Sequence, residues 1–155
     1  MAPAILQAAR EAREGLKLEE IKAHLLDLLS RTHFLGVLDT LDYVKRSGRL
    51  NGALALLGNT LVVKPILALK HGEIMPAGIA RTRSAAYTRI ARLIAAMGGI
   101  EQMIAGESSQ GAGQQLREVL KAIYQGDIPL YQLGAVLATH TGPGTAAVAV
   151  VIKGR

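Results

Sequence analysis

Apolar residues recur at helical spacing near the start of the chain and at strand spacing further along. In residues 2–14 and again in residues 18–30 they return every three or four positions, which is typical of amphipathic helices. Gly15 lies between the two segments and is a residue type that ends helices. The pattern therefore predicts an N-terminal pair of helices.

The rest of the chain alternates between strand-like and helical segments. Strands are predicted over residues 32–38, 59–69, 101–107, 131–138 and 145–152, with a return strand resuming at Ile74 and Met75. Helices are predicted over residues 39–44, 52–57 and 82–97, and over the stretch marked by Leu116, Val119, Leu120 and Ile123.

Two punctuation signals refine the predicted sheet. The segment from Lys70 to Glu73 has the composition of a hairpin turn. Pro65 falls inside a predicted strand and lacks a backbone N–H, so an edge or bulge position is expected there.

The order of these elements predicts the fold class. Regular β-α-β alternation is absent from the sequence pattern, which argues against a doubly wound parallel sheet. We expect an α/β, α+β-like fold: a two-layer sandwich of helices on a mixed sheet of four to six strands, preceded by the helical pair. Residues 1–31 are expected to form a helical extension and residues 32–155 the main domain.

Composition narrows the class of protein. Half of the 155 residues are hydrophobic, aromatics make up only 3%, and cysteine is absent, so disulfide and thiol chemistry are excluded. The apolar runs are shorter than the roughly 18 residues that span a bilayer, and the N-terminus lacks the pattern of a secretory signal. A cytoplasmic location without a transmembrane segment is expected.

The net charge of +6 is concentrated in the middle of the chain. Between residues 40 and 95 the acidic residues are Asp42 and Glu73. The basic residues there are Lys45, Arg46, Arg49, Lys64, Lys70, Arg81, Arg83, Arg89 and Arg92. Such a segment favours an anionic partner, and a solvated surface is the alternative explanation.

The segment Thr139-His140-Thr141-Gly142-Pro143-Gly144 is the strongest candidate for a site. It falls between two predicted strands, in a Gly/Pro turn that would display a histidine at the rim of the sheet. Histidine is a compact donor that a carboxylate partner keeps protonated, and Gly142 and Gly144 expose backbone N–H groups. A solvated turn histidine is the alternative.

Three arginines are further candidates. Arg49 follows Gly48 and either brings a guanidinium to a carboxylate or phosphate, or is an ordinary surface residue. Arg81 and Arg83 flank Thr82 at a predicted helix start, where they oppose the helix dipole. Such placement indicates recruitment for a partner, and a structural salt bridge is the competing explanation.

Other chemistries find no support in the sequence. No HExxH motif, cysteine cluster or paired carboxylates at metal spacing are present, so no metal site is expected. The glycine-rich turn lacks the Gly-Lys-Ser/Thr ending of a P-loop, so no nucleotide cofactor is expected either.

Four stretches together resemble the C-terminal half of the DegV family of bacterial fatty-acid-binding proteins. Their order and approximate spacing match the family over roughly residues 32–152. The stretches are residues 38–50, residues 55–67, the segment Gly72-Glu73-Ile74 with Arg81-Thr82-Arg83, and residues 139–144.

The resemblance implies a carrier and not an enzyme. A long-chain fatty acid would be the ligand, with Arg49, Thr139, His140, Thr141, Gly142 and Gly144 around its carboxylate. The carrier would present that carboxylate to an ATP-dependent fatty acid kinase, with Arg81 and Arg83 as residues that contact the kinase. The family's N-terminal α/β domain, which supplies Ser/Thr hydroxyls to the carboxylate, has no counterpart in these residues.

Two alternative functions do not involve lipid binding. The face left by the missing N-terminal domain would suit an interaction module that self-associates or binds another subunit. The basic segment would suit a nucleic-acid-binding domain, although the few aromatic residues argue against base stacking. A small hydrolase built on His140 ranks last, because no orienting carboxylate is identifiable.

Overall fold

The computed structural model describes residues 2–48, 63–70 and 72–154, which are built around one mixed β-sheet. The strands are β1 (Thr32–Val37), β2 (Lys64–Lys70), β3 (Glu73–Ala80), β4 (Ile100–Glu107), β5 (Leu130–Gln132) and β6 (Ala146–Ile152). The helices are α1 (Ala2–Arg13), α2 (Leu18–Ser30), α3 (Asp42–Arg46), α4 (Arg83–Ala95), α5 (Ala112–Leu120) and α6 (Ala135–Thr141).

The strand order across the sheet is β3-β2-β1-β6-β4-β5. β5 pairs with β4 in parallel, and the other described neighbours pair antiparallel. The predicted fold class, helices on a mixed sheet, is confirmed. None of the described helices is long and apolar enough to span a bilayer.

The main core lies on one face of the sheet, under α4 and α5. Alternate residues of the central strands, such as Val148 and Val150 of β6, point into it and are fully buried. Ile90 and Ile94 of α4 and Leu116 of α5 meet them from the helices. Ile90 and Ile94 are four residues apart, which places both on one face of a helix, and for this reason the sequence pattern predicted α4 correctly.

The helical pair packs on the opposite face. Val151, the neighbour of Val150 along β6, points to that face and packs with Ala4 of α1 and Leu28 of α2. At the other end of the same face, α3 contributes Val44 to a small cluster with Leu38 and Leu67. The division at residue 31 into an extension and a main domain stays a prediction.

Most predicted elements agree with the structure. The helical pair, the strand before residue 38, the helix after Thr82 and the final strand lie where the pattern placed them. The strand predicted over residues 101–107 is confirmed as β4, and residues 64–70 form the described part of the strand predicted over 59–69. The helix predicted over residues 52–57 lies outside the described residues.

Pro65 illustrates how a proline fits inside a sheet. The edge alternative is wrong, because β2 lies between β3 and β1. The bulge alternative is not confirmed at Pro65 itself, because Pro65 pairs with Ile79. The register shifts one pair further on, between Ile66 and Leu67, where Ala77 of β3 is the extra residue. The Pro65 carbonyl still accepts a hydrogen bond, from the backbone N–H of Leu38 at 3.1 Å.

The prediction of a strand over residues 131–138 is wrong. The structure has a three-residue strand, β5, followed by α6. The apolar residues of this stretch did not mark a buried strand, because Val136 is 77% exposed. A run of apolar residues this short has no decisive period, and Gly134, in an extended conformation, begins a helix at Ala135 instead.

Candidate functional site

Three loops meet at one end of the sheet. β6 is antiparallel to both β1 and β4, so β1 and β4 end at the edge where β6 begins. Residues 38–41 follow β1, residues 108–111 follow β4, and residues 142–145 precede β6. The candidate site is assembled at this edge from segments that are far apart in the sequence.

His140 lies in the last turn of α6, and the prediction that it sits in a turn between two strands is wrong. Its side chain is half-buried. The Nδ1 atom of its ring is buried and, within the described part of the chain, has no hydrogen-bond partner. A buried ring nitrogen without a partner is costly, so a group that completes this bond would be stabilised here.

The hydroxyl groups of the two threonines beside His140 donate hydrogen bonds to backbone carbonyls of α6. Thr139 Oγ1 donates to the Ala135 carbonyl at 2.8 Å, and Thr141 Oγ1 donates to the Leu137 carbonyl at 3.0 Å. Bonds of this kind are common for threonine in helices. As placed, neither hydroxyl proton is directed at a ligand, and the ligand-binding role of both residues stays a prediction.

α6 is followed by a loop, residues 142–144, in which both glycines have a positive φ. Gly142 has a φ of 81° and Gly144 a φ of 75°, a region that residues with a Cβ rarely adopt. Gly142 lies against the ring of Tyr43, and Gly144 lies against the side chains of Asp39 and Arg83. A side chain at either glycine would collide with these groups.

Two serines after β4 hold the same loop from the other side. Ser108 Oγ donates to the Gly142 carbonyl at 2.7 Å and accepts from the Thr145 N–H at 3.0 Å. Ser109 Oγ accepts from the Gly144 N–H at 2.9 Å. The Gly144 N–H is therefore not available to a ligand in this arrangement, contrary to what its exposure in the sequence pattern suggested.

Asp39, Lys64 and Arg83 form an ion-pair group at the site, called here the Asp39 cluster. Lys64 Nζ donates to Asp39 Oδ1 at 2.8 Å and Arg83 Nε donates to the same oxygen at 3.1 Å, while Arg83 Nη2 donates to Oδ2. Burial raises the pKa of Asp39, but the hydrogen bonds from Arg83 and Lys64 outweigh it and the pKa lies below its usual value. Two bases on one carboxylate leave the cluster electropositive.

The three candidate arginines are placed differently. Arg83 takes part in the Asp39 cluster, as the competing salt-bridge explanation expected, and the hydrogen bond to Asp39 raises its pKa. Arg81 is exposed just before α4, and within the described ranges it forms no salt bridge. Arg49 lies outside the described residues.

Two buried polar side chains lie on the α4 and α5 side of the sheet near the site. Glu107, at the end of β4, is 3% exposed and accepts from the Gly113 N–H and from Gln132 Nε2, both at 2.9 Å. Tyr87 of α4 is 2% exposed, and its hydroxyl has no partner among the described residues. Burial raises the pKa of Tyr87.

An apolar strip runs from the site along the sheet face opposite α4 and α5. Gly36 pairs with Ala147, and one step further Phe34 pairs with Ala149, which pairs with Ile104. These five residues, called here the apolar strip, lie between the α3 end and the α1–α2 end of the face. Ala147 and Ile104 are buried, while Phe34 and Ala149 are half-buried.

Sequence reasoning missed Asp39, Ser108 and Ser109 as parts of the site. Ser108 directly follows β4, and Asp39 and Ser109 are the second residues after β1 and β4. Loops that follow strands at the same edge of a sheet converge there. The position of these residues after predicted strands was visible in the sequence. Their convergence was not, because it depends on β1 and β4 running in the same direction. Among the described residues no group of three or more histidine or carboxylate side chains is placed to hold a metal ion.

The fold and this edge define the class of protein: an α/β domain whose sheet end combines a histidine, a glycine loop and an electropositive ion-pair cluster. The model of the DegV family, described as an uncharacterised protein of that family, matches residues 2–153. The chain belongs to the DegV family.

Relatives from several bacteria agree with this assignment. A DegV domain-containing protein of Streptomyces coelicolor is 32% identical over 152 residues, covering 94% of this chain and 53% of its own length. One from Clostridium acetobutylicum is also 32% identical, with the same coverage. The chain thus spans about half the length of the curated relatives it matches.

Solved structures match the whole described fold. A DegV family protein of Corynebacterium glutamicum superposes with a TM-score of 0.89 at 27% identity, over 99% of this chain and 60% of that one. A Thermus thermophilus protein, described as a fatty-acid-binding member of the DegV family, gives a TM-score of 0.86 at 32% identity, over 98% of this chain and 56% of that one.

Proposed function

We propose that this chain is a fatty-acid-binding domain and that its His140 edge takes the carboxylate of a long-chain fatty acid. The observation that carries the proposal is the likeness to the Thermus thermophilus fatty-acid-binding protein, at 32% identity and a TM-score of 0.86. The likeness extends over 98% of this chain and so includes the site edge.

The chemistry of the edge supports a carboxylate ligand. A buried carboxylate needs hydrogen-bond donors, because leaving it unpaired is very unfavourable. The partnerless Nδ1 of His140 is one such group, and the surplus positive charge of the Asp39 cluster favours an anion nearby. Arg49, Thr139, Thr141, Gly142 and Gly144 remain proposed ligand-binding residues.

The apolar strip supports an acyl tail. The strip begins at Gly36 and Ala147, beside the site edge, and continues to the larger side chains of Phe34 and Ile104. Each methylene that leaves water contributes about 0.8 kcal/mol, so a long tail would supply most of the binding free energy. We propose that the tail lies along this strip.

We further propose that the domain is a carrier and not a catalyst, and that an ATP-dependent fatty acid kinase is its partner. Arg81 supports this role because it is exposed beside the site edge, and the described ranges give it no salt bridge. Arg83 contributes less to a partner surface, since the Asp39 carboxylate engages its guanidinium.

Ligand binding tests the first proposal. The purified chain and the full-length Streptomyces coelicolor relative would be titrated with a fluorescent C16 fatty acid, and native mass spectrometry would look for co-purified lipid. We expect His140→Ala to weaken binding by about tenfold, the effect of losing one hydrogen bond to a charged group. His33→Ala, an exposed histidine of β1, is the matched control and should bind as the unchanged chain does.

The proposal fails if neither chain nor relative binds the probe, or if His140→Ala and His33→Ala bind equally well. Binding by the relative alone would mean that this chain needs further parts of such a protein to hold the ligand.

Acyl phosphate formation tests the partner. With the kinase, ATP and a fatty acid present, we expect Arg81→Ala to lower acyl phosphate production and leave fatty acid affinity unchanged. Arg92→Ala, an exposed arginine further along α4, is the control. Equal production by the Arg81 variant and the unchanged chain would contradict the partner role of Arg81.

A further inference from the structure

The loop after His140 is held on three sides by groups from other elements. Gly144 lies directly against Asp39 and Arg83, and its N–H donates to Ser109. Gly142 lies against the ring of Tyr43. The Gly142 N–H also donates to the Ala138 carbonyl of α6 at 2.8 Å, so the loop is held both by its own helix and by these contacts from other elements.

Asp39 contacts this loop and also links two other elements. Its carboxylate accepts from Lys64 of β2 and from Arg83 of α4, so it fixes two basic side chains from separate elements. The side chain of Asp39 is 30% exposed, and the Gly144 backbone covers part of it. Without the carboxylate, the arginine and lysine would repel each other at the place where Gly144 now packs.

We propose that Asp39 is a positioning residue for ligand binding, which acts by holding the 142–144 loop and hence the ring of His140. The proposal rests on the proposed fatty acid function for its binding readout, but its structural readout needs no ligand. Asp39 contacts the loop at Gly144, and its carboxylate accepts hydrogen bonds from Lys64 and Arg83, so we place its action on His140 through the loop.

The close fit between Asp39 and Gly144 favours a carboxylate of this length at position 39. Replacing Asp39 with glutamate keeps the charge but moves the carboxylate by one methylene, toward a glycine that has no room for more atoms. Asparagine keeps the shape and removes the charge, so it can no longer attract both bases. The two substitutions therefore separate charge from fit.

The experiment compares Asp39→Asn and Asp39→Glu with Asp27→Asn. Asp27 also pairs with an arginine, Arg31, but it lies in the helical pair at the opposite end of the sheet. The readouts are the exchange rates of the Gly144 and Thr145 amide protons, the NMR chemical shifts of the His140 ring, and the affinity for a fluorescent C16 fatty acid.

We expect Asp39→Asn to speed exchange of both amides, shift the His140 ring signals and weaken binding by about tenfold, as loss of a charge-assisted hydrogen bond does. Asp39→Glu should do the same in part, and Asp27→Asn should change none of the three. Leu28→Ala, which removes a buried side chain far from the loop, controls for general loss of stability.

Unchanged His140 signals and amide exchange in Asp39→Asn would overturn the proposal whatever the binding result. If those signals move while neither Asp39→Asn nor His140→Ala weakens binding, the proposed fatty acid site fails and the positioning of the loop stands. If His140→Ala weakens binding and Asp39→Asn does not, the positioning role in binding is wrong.

Discussion

The two ends of the sheet each carry an ion-pair cluster, but with opposite composition. At the site end the Asp39 cluster places one acid between two bases. At the far end Arg31 lies between Asp27 and Glu101 and also donates to the Ile152 carbonyl at 2.6 Å. The hydrogen bond from Arg31 lowers the pKa of Asp27, and hydrogen bonds to Asp27 and Glu101 raise the pKa of Arg31.

The difference lies in what each cluster contacts. The acids at the far end are 64% and 44% exposed and join the helical pair to the strands, so solvent screens them. Asp39 is 30% exposed and packs against the backbone of a glycine loop. Similar chemistry therefore joins the helical pair to the sheet at one end and contacts a candidate binding loop at the other.

The largest expected effect on stability comes from substituting one glycine at each end of the molecule. Gly144 and Gly15 both have positive φ, of 75° and 84°, but an added Cβ at Gly15 meets nothing within 4 Å. We expect Gly15→Ala to lower the free energy of unfolding by about 1–2 kcal/mol through backbone strain. Gly144→Ala should cost about 2–5 kcal/mol, since overpacking against Asp39 and Arg83 adds to that strain.

Chemical denaturation of the two glycine variants measures both values. Equal losses at the two positions would mean that the Asp39 cluster moves aside without cost. That result would also weaken the argument that the cluster holds the loop.

A smaller effect is expected from acid. Because the pKa of Asp39 lies below its usual value, the stability that its ion pairs contribute is present above the unfolded pKa of about 3.9. That stability is lost as the pH falls through the lower folded value. The difference in unfolding free energy between the unchanged chain and Asp39→Asn, about 1–2 kcal/mol at pH 7, should therefore stay constant down to pH 5 and shrink below about pH 4.

Unfolding curves from pH 7 to pH 3 check this expectation. A difference that already shrinks between pH 7 and pH 5 would contradict the lowered pKa. His33→Ala serves as the baseline, because it leaves the Asp39 cluster intact.

The smallest expected effect is a difference in stability between removing the Tyr124 hydroxyl and removing the Tyr87 hydroxyl. The Tyr124 hydroxyl donates to the Glu101 carbonyl at 2.9 Å at the far end, whereas the buried Tyr87 hydroxyl has no partner among the described residues. We expect Tyr124→Phe to lower the free energy of unfolding by about 0.5–1 kcal/mol. Tyr87→Phe should leave it unchanged or raise it slightly, because an unsatisfied buried hydroxyl costs more than a missing one.

Thermal unfolding of the two variants is sufficient for this test. A clear loss of stability in Tyr87→Phe would indicate that its hydroxyl has a partner, such as a bound water.

Local periodicity predicted the elements whose pattern is long and regular. α4 is the clearest example: Ile90 and Ile94 recur at helical spacing, and both are fully buried under the sheet. The strand predicted over residues 131–138, before His140, was wrong for the opposite reason. It is short and apolar, and its strand-like composition did not reveal that Val136 would be exposed on a helix.

The sequence by itself determined the helical pair and the mixed α/β class, and it singled out the segment from Thr139 to Gly144 as a candidate site, because these depend on neighbours along the chain. Only the tertiary structure decided that Asp39, Ser108 and Ser109 surround that segment, and that Arg83 pairs with Asp39. These contacts span 34 to 44 residues of sequence. They arise because β6 is antiparallel to both β1 and β4, and strand pairing of that kind has no local signature.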